Sequence, residues 1–462
     1  MPLGTPVQIF NALSAARPIE RTRIVAGKAV VMGGSVAGLL AARVLADHAE
    51  TVVIIERDDL GETRIPRPGV PQGSQSHALL VGGLRQLERW FPGITAQARQ
   101  EGAVLLPGRE VRTYVDNVPQ AATAPYDLLS GTRPFLENVI RRRTFDLPNV
   151  KVIPGRVTGL GLGGGRVQGV RWISGGEEAV EDADFVVDAM GRASKLGDWL
   201  EEAGWQKPSL HRVPINVNYA TGLFARSPDA PIFGALARRS PAFAAARTAG
   251  GAVSPVEGGA WLVMLGGYDD DRPDRTLDGF LLRCREDLPP AFARAVAGEP
   301  LKPIATYRQA DARRRDYAGL TRLPGGLVSV GDAVASFNPI YGQGITSATL
   351  HASSLSAYLW RTPDARMPAH EFFDLQQVIV DAAWQLSTAA DLARQQSGAV
   401  LSPQARLARW IGEQIVDASL ADETISRRFA DVTNMTAHPA TLMTPATVAR
   451  SIWANRRRPA AR

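Results

Sequence analysis

Gly33-Gly34-Ser35-Val36-Ala37-Gly38 follows directly on an apolar run, Ala29–Met32, and opens a stretch in which Val36, Leu39, Leu40, Val44 and Leu45 recur at helical spacing. Such a strand-to-helix turn can hold a dinucleotide. The first glycine makes the tight bend, the second lets the backbone approach the pyrophosphate, and the third lets helix and strand pack closely. Gly33 and Gly38 fill the first and third places, while the middle place is Ser35, whose hydroxyl could donate to a phosphate oxygen. The pyrophosphate would rest on the amides at the helix N-terminus, where the helix dipole also favours negative charge. Thr51–Ile55 reads as a second β-branched strand, and Glu56 at its end is placed for the ribose hydroxyls, with Arg57 beside it. An acid at that position would repel the 2′-phosphate of NADP. A lone glycine motif is weak, but here strand, turn, helix, strand and terminal acid agree. The unit does not by itself distinguish FAD from NAD.

Much later in the chain, Leu327–Val330 is another buried-strand pattern. Gly331-Asp332 closes it, and Pro339, Gly342, Gly344 and Ile345 lead into a helix rich in small residues. Two glycine turns so far apart suggest a ligand long enough to be held at both ends. A helix N-terminus at Gly344 could also stabilise negative charge at flavin N1 and the C2 carbonyl. With these segments the chain resembles the FAD-dependent monooxygenases of the aromatic-hydroxylase type, in particular the bacterial branch that contains the flavin epoxidases of polyether biosynthesis. The resemblance implies that Asp332 binds ribityl or ribose hydroxyls and that the Pro339, Gly342, Gly344 turn brings backbone amides to the flavin pyrimidine edge. It extends to Arg67–Gly93, with Gln72, His77 and Phe91-Pro92-Gly93 in place, and to SGTRPFLENVIRRR, where Arg133 would reach the cofactor. It also implies that the Val157 backbone lies near the adenine. In DFVVDAMGRASKL, Asp184–Leu196, the family's usual aspartate is Met190, followed by Gly191 and Arg192. Asp188 stands two residues before that place.

The implied fold is α/β: a discontinuous Rossmann-like FAD-binding domain of the glutathione-reductase type, an inserted β-sheet substrate domain and a C-terminal helical region. The FAD domain is expected over 24–102, 130–200 and 315–360, and the sheet domain over 103–129 and 204–312. Residues 1–23 read as an extension, in which Gln8–Ala16 is a short amphipathic segment better suited to packing than to a membrane or partner. Val150–Asp188 reads as a meander with a glycine hairpin at Gly161–Gly165. In 361–462, Phe372, Leu375, Ile379, Ala382 and Leu386 keep one apolar face, suited to capping the sheet ahead of an oligomer contact.

Composition narrows the alternatives. Of 462 residues 45% are apolar and 21% charged, with a net charge of +6, which describes an ordinary globular chain. Cys284 is the sole cysteine, which excludes an intrachain disulfide framework and Cys-rich metal sites, and its helical neighbours Leu277, Phe280, Leu281 and Leu288 place it in a core. None of the six histidines has metal-ligand spacing, so no metal is expected. His77 reads as a structural imidazole or a group near flavin or substrate. The arginine triplets at 141–143, 313–315 and 456–458 are dispersed, which suits solvated surface better than nucleic acid. No membrane span or secretory signal is evident, so a cytoplasmic location is expected. Flavin halogenases carry a W-x-W-x-I-P segment and a lysine between flavin and substrate. No tryptophan here sits in such a segment and Lys195 reads as a helix-start surface charge, so halogenation is disfavoured.

The resemblance implies a monooxygenase with non-covalent FAD. Reduced flavin would form a C4a-hydroperoxide with O2 and pass one oxygen to an electron-rich alkene or arene, by epoxidation or hydroxylation in specialised metabolism. The flavin carries the chemistry, so no catalytic residue is assigned. With Met190 in the family's acidic place, NAD(P)H is expected as a transient donor, or a partner reductase supplies the electrons. The alternatives are an FAD-dependent dehydrogenase or prenyl reductase on the same fold, and a non-catalytic flavin-binding protein. The substrate is expected to be elongated and apolar. Val217, Tyr219 and Leu223, with Trp261, Val263 and Leu265, alternate on strand-like segments, more as core than as pocket.

Overall fold

The computed structural model describes residues 4–17, 22–61, 64–77, 79–122, 124–239, 248–362, 364–395 and 402–457. Parts of the expected extension and of the 204–312 insert, together with Arg458 of the last arginine triplet, lie outside these residues.

Helix α1 (Pro6–Ser14) begins at a Thr5–Gln8 capping box and buries Phe10 and Leu13 against the main core. The Gln8–Ala16 segment is thus a packed arm. Strand β1 (Ala26–Met32), helix α2 (Val36–Leu45) and strand β2 (Ala49–Glu56) form the expected βαβ unit. Helices α3 (Val81–Trp90) and α4 (Ile94–Gln100) precede four short strands, β3 (Val104–Leu106), β4 (Val111–Val115), β5 (Val118–Pro119) and β6 (Leu128–Ser130). Helix α5 (Arg133–Phe145), capped by Thr132, is followed by β7 (Val150–Pro154), β8 (Arg156–Gly163), β9 (Arg166–Ser174), β10 (Glu177–Asp182) and β11 (Phe185–Asp188). After helix α6 (Leu196–Glu202) come β12 (Ser209–Ala225), β13 (Gly234–Arg238), β14 (Gly250–Val256) and β15 (Ala260–Tyr268). Helices α7 (Leu277–Glu286) and α8 (Pro290–Ala295) lead to β16 (Ala305–Asp316), β17 (Leu327–Ser329) and β18 (Ala335–Ser336). The described chain ends in helices α9 (Gln343–Arg361), α10 (His370–Gln395), α11 (Pro403–Ala418), α12 (Glu423–Thr433) and α13 (Pro445–Arg456).

Five parallel strands in the order β17-β11-β1-β2-β7 form the first sheet, and its inner strands are apolar runs buried on both faces. The chain runs outward in both directions from β1, so the order reverses there. Met32 pairs with Asp188 and Ile55, and Asp188 with Ser329. That register brings the carboxyl ends of four strands to one edge, where open α/β sheets bind their ligands. Strands β8, β9 and β10 form a separate antiparallel sheet whose hairpin turns at Gly164 and Gly165, both with positive φ.

A larger sheet, β18-β16-β12-β15-β14-β13-β4-β5, joins strands from either side of α5. Strand β18 pairs with the end of β16, which ties this sheet directly to the segment after Asp332. Its two faces serve different neighbours. Trp261, Val263 and Leu265 face Phe280 and Cys284 of α7 and Phe292 of α8, so they are core. Of the helical neighbours expected beside Cys284, Phe280 and Leu288 are buried while Leu277 is exposed. Val217 and Tyr219 lie on the opposite face with Ala252 and Met264, and meet Ile340 and Trp384. Leu223, further along β12, packs with Val256, Ala260 and Leu262. Register explains the division: Tyr219 pairs with Gly266 and Leu223 with Leu262, so odd residues of β12 share a face with even residues of β15.

Along α10 the expected stripe is inward, with Phe372, Leu375, Ile379 and Ala382 buried against the main core and Leu386 reaching the smaller cluster of α11–α13. No helix among the described residues is long and apolar enough to cross a membrane.

Candidate flavin site

The turn after β1 needs glycine for steric reasons. Gly33 has φ of +107°, and a Cβ on Gly38 would stand 1.9 Å from the Gly33 carbonyl oxygen, so α2 meets the turn backbone to backbone. Ser35 is the N-cap of α2, yet its side chain makes no capping bond, which leaves the first amides of the helix, at Val36, Ala37 and Gly38, without a side-chain acceptor. Instead the Ser35 hydroxyl donates to Glu137 Oε2 at 3.2 Å and accepts from Arg133 Nη2 at 3.0 Å. Arg133 therefore comes to the N-terminus of α2, though its guanidinium is engaged by protein.

Glu56 Oε2 accepts the Gly34 N–H at 2.6 Å and Oε1 the Asp58 N–H at 3.0 Å. These bonds brace the turn; Oε2 also faces Arg67 Nη1 at 3.4 Å, and Oε1 keeps a second lone pair. Arg57 projects into solvent beside Asp58. The Gly155 N–H donates to the Glu56 carbonyl, so the corner between β7 and β8 that carries Val157 adjoins the end of β2.

Sequence reading missed the centre of this region. Glu137 is buried and receives Arg67, Arg133 and Arg141. Burial alone would raise its pKa, but Arg133 and Arg67 outweigh burial and hold it at about 2. The spacing Arg133, Glu137, Arg141 was visible as an i,i+4 ladder. Arg67 comes from a loop, also binds Asp58, and nothing local announces it. His77 sits beside this cluster and donates Nδ1–H to the Gln75 carbonyl at 2.9 Å. Burial, with the Arg133 charge, pushes its pKa down to about 4, so it is neutral at pH 7. The Gln72 backbone carbonyl accepts the Gln75 N–H, and the Gln75 side chain reaches the large sheet through the Thr221 hydroxyl at 2.7 Å and the Ala305 carbonyl. The Arg67–His77 segment thus links the two halves of the site.

At the other end, Asp332 lies in a 3-10 turn, Gly331–Ala333, after β17. Burial raises its pKa against the pull of Arg192 and Arg133, and its carboxylate makes no hydrogen bond to the described residues. The turn is set from behind by His351, a buried residue of α9 whose Nδ1 accepts the Gly331 N–H at 2.9 Å. Asn338 caps a second 3-10 turn, Pro339–Tyr341, by accepting the Ile340 N–H. Gly342, with φ of +66°, starts α9 without a side-chain cap. A Cβ on Gly344 would meet nothing within 4 Å, so open space borders the first turn of α9, while Ile345 is buried.

Met190 follows β11 at the same edge. Asp188 is buried beneath it and accepts from the Met190 N–H, Ser194 Oγ and Ser329 Oγ, and burial raises its pKa. It ties strands together and does not substitute for the missing aspartate.

These features fit FAD. Two helix N-termini lack side-chain caps, and a half-buried carboxylate accepts no hydrogen bond from the described residues; Asp332 and the α2 turn follow β17 and β1 of the parallel sheet, and the turn before α9 meets the Val217–Tyr219 face of the large sheet. The fold is that of the flavin-dependent monooxygenases of aromatic-hydroxylase type. Similar solved structures are the flavin-dependent brominase Bmp2 (TM-score 0.63, 16% identity, 94% of this chain and 100% of that one) and p-nitrophenol 4-monooxygenase PnpA from Pseudomonas putida DLL-E4 (0.61, 17%, 90% and 99%). The probable FAD-dependent monooxygenase pqsL from Pseudomonas aeruginosa is similar to the same degree (0.60, 17%, 82% and 99%). At such identities the likeness is one of fold. By sequence, the chain belongs to the same family as Protein Rv3254 of Mycobacterium tuberculosis, to which it is 35% identical over 344 residues, 71% of this chain and 72% of that protein. No protein-family model matches the chain.

Proposed function

We propose that the protein is an FAD-dependent monooxygenase that transfers one atom of O2 to an electron-rich alkene or arene of a largely apolar small molecule. The observation that carries this reading is the pairing of two uncapped helix N-termini, at α2 and α9, with the Asp332 carboxylate, which accepts no hydrogen bond from the described residues, and with a separate face carrying Val217, Ala252 and Met264 that the turn before α9 meets. FAD, when bound, supplies the activation of O2. The chain's own residues do the rest.

Amides of Val36, Ala37 and Gly38 would take the pyrophosphate, Glu56 the adenosine ribose and Asp332 the ribityl hydroxyls. The first amides of α9 would face the pyrimidine edge. His351 and Asn338 orient the two turns that present these groups. Val217, Ala252, Met264, Ile340 and Trp384 exclude water from the face where substrate would lie, which protects a reactive oxygen donor from wasteful decay. This reading extends the branch resemblance, in which the natural substrate would be an alkene or arene of specialised metabolism. Met190 leaves no acidic anchor for nicotinamide, so electrons arrive from transiently bound NAD(P)H or from a partner flavin reductase.

The test is O2 uptake by the reduced, FAD-loaded protein with a panel of polyenes and phenols. Uptake coupled to a product heavier by one oxygen supports the proposal. Conversion without O2 uptake, to a product differing only in hydrogen, selects the dehydrogenase or prenyl-reductase reading.

A further inference from the structure

One row of the large sheet runs Tyr307, Tyr219, Gly266, Gly250, Arg238 across β16, β12, β15, β14 and β13. Residues paired across a sheet direct their side chains to the same face. This is the face met by the Pro339–Tyr341 turn, since a Cβ on Gly250 or Gly266 would stand 3.4 or 3.6 Å from Ile340 Cδ1. The row therefore places two phenols at one end, two glycines beneath Ile340, and a guanidinium at the other end.

Arg238 is the unusual member. Its Nη2 is buried without a partner, and no side-chain hydrogen bond or ion pair to the described residues engages its guanidinium. The other charged and titratable groups that act on it are Tyr341 of the turn after Asn338 and Asp116 of the β4–β5 hairpin, and burial lowers its pKa. Phe429 of α12 lies 5.1 Å from the guanidinium. A ring face offsets only part of what it costs to bury a cation, and arginine stays protonated at any working pH. Among the described residues no anion bonds to the guanidinium, and Arg238 belongs to the side of the sheet where the substrate would lie.

We propose that Arg238 anchors a carboxylate of the substrate, on a planar and otherwise apolar body lying beside Ile340, Ala252 and Met264. A guanidinium fork matches a carboxylate in two parallel hydrogen bonds, a match that neither an ester nor an amide reproduces. The inference rests on the reading that this face holds substrate, and it names the class: an apolar acid, not a neutral polyene.

The experiment titrates the oxidised, FAD-loaded protein with 2-naphthoate and with 2-naphthamide, which share a planar body and differ in charge, and follows the flavin absorption spectrum. The wild type should bind the carboxylate at least about tenfold more tightly. Arg238→Gln should abolish that preference at unchanged FAD content, and Arg238→Lys should keep part of it. If Arg238→Gln loses FAD, the wild type and Arg238→Lys decide. Equal binding of the two probes to the wild type, including no binding of either, overturns the proposal. So does a preference that survives in Arg238→Gln, which would leave Arg238 as packing for Phe429. Turnover is not read in this titration, so a preference found without oxygen insertion elsewhere would sink the monooxygenase reading and spare the anchor.

Discussion

Gly38 and Asp332 make opposite demands on the proposed cofactor site, one for absence of a side chain and one for its presence. Gly38→Val would drive a branched side chain into the Gly33 carbonyl, a backbone group that cannot swing aside, so FAD content should fall steeply. Asp332→Ala removes a charged acceptor worth roughly 1.5–3 kcal/mol, and FAD should bind about ten- to a hundredfold more weakly. Flavin absorbance per protein checks both, and undiminished FAD in both variants would refute the site. Glu137 makes a different prediction. Its folded pKa of about 2 lies below the usual 4.5, so it stabilises the fold above that usual value, and this contribution is lost as pH falls from about 4.5 through about 2. Glu137→Gln, which leaves three guanidiniums without their shared carboxylate, should cost about 3–5 kcal/mol at neutral pH. Urea unfolding at neutral and acid pH measures it, and equal stability of the two proteins at pH 7 would contradict the charge assignment. The glycine turns could be read in advance because their spacing encodes their geometry. Glu137 could not, since one of its partners lies in a loop 70 positions away in sequence.

At the scale of elements, periodicity was informative where one face of a helix meets one core. The α10 stripe of Phe372, Leu375, Ile379 and Ala382 is buried as its spacing requires. Phe372, fully buried against Tyr358 and Phe373, should cost about 3–5 kcal/mol when replaced by alanine. A shift in the urea midpoint at unchanged slope would show it, and no shift would mean that α10 is not part of the cooperative core. Strands were harder. Alternation on β12 and β15 showed that each has two faces, but which faces coincide depends on the pairing of Tyr219 with Gly266, a long-range fact that no local pattern carries. For the same reason Trp261, Val263 and Leu265, plausible pocket residues by type, prove to face α7 and α8. Strand β18, two residues long, is too short to show a period at all, yet it joins the sheet to the Asp332 segment.

The whole molecule places its candidate dinucleotide-binding edge in one sheet and its candidate substrate face in another, with the Arg67–His77 loop and β18 as links. The sequence carries one βαβ glycine fingerprint, at Gly33–Gly38, so reduction is expected to be transient. NAD(P)H oxidation by the FAD-loaded protein without substrate should be slow, or a flavin reductase should be required, and NADPH retained through purification would contradict this. Oxygen transfer is read by running the reduced, FAD-loaded protein under 18O2 in unlabelled water, with a panel of polyenes, phenols and planar apolar acids, and weighing the products. A monooxygenase gives a product carrying one 18O atom per turnover. Conversion of a substrate with no 18O in the product would contradict oxygen transfer.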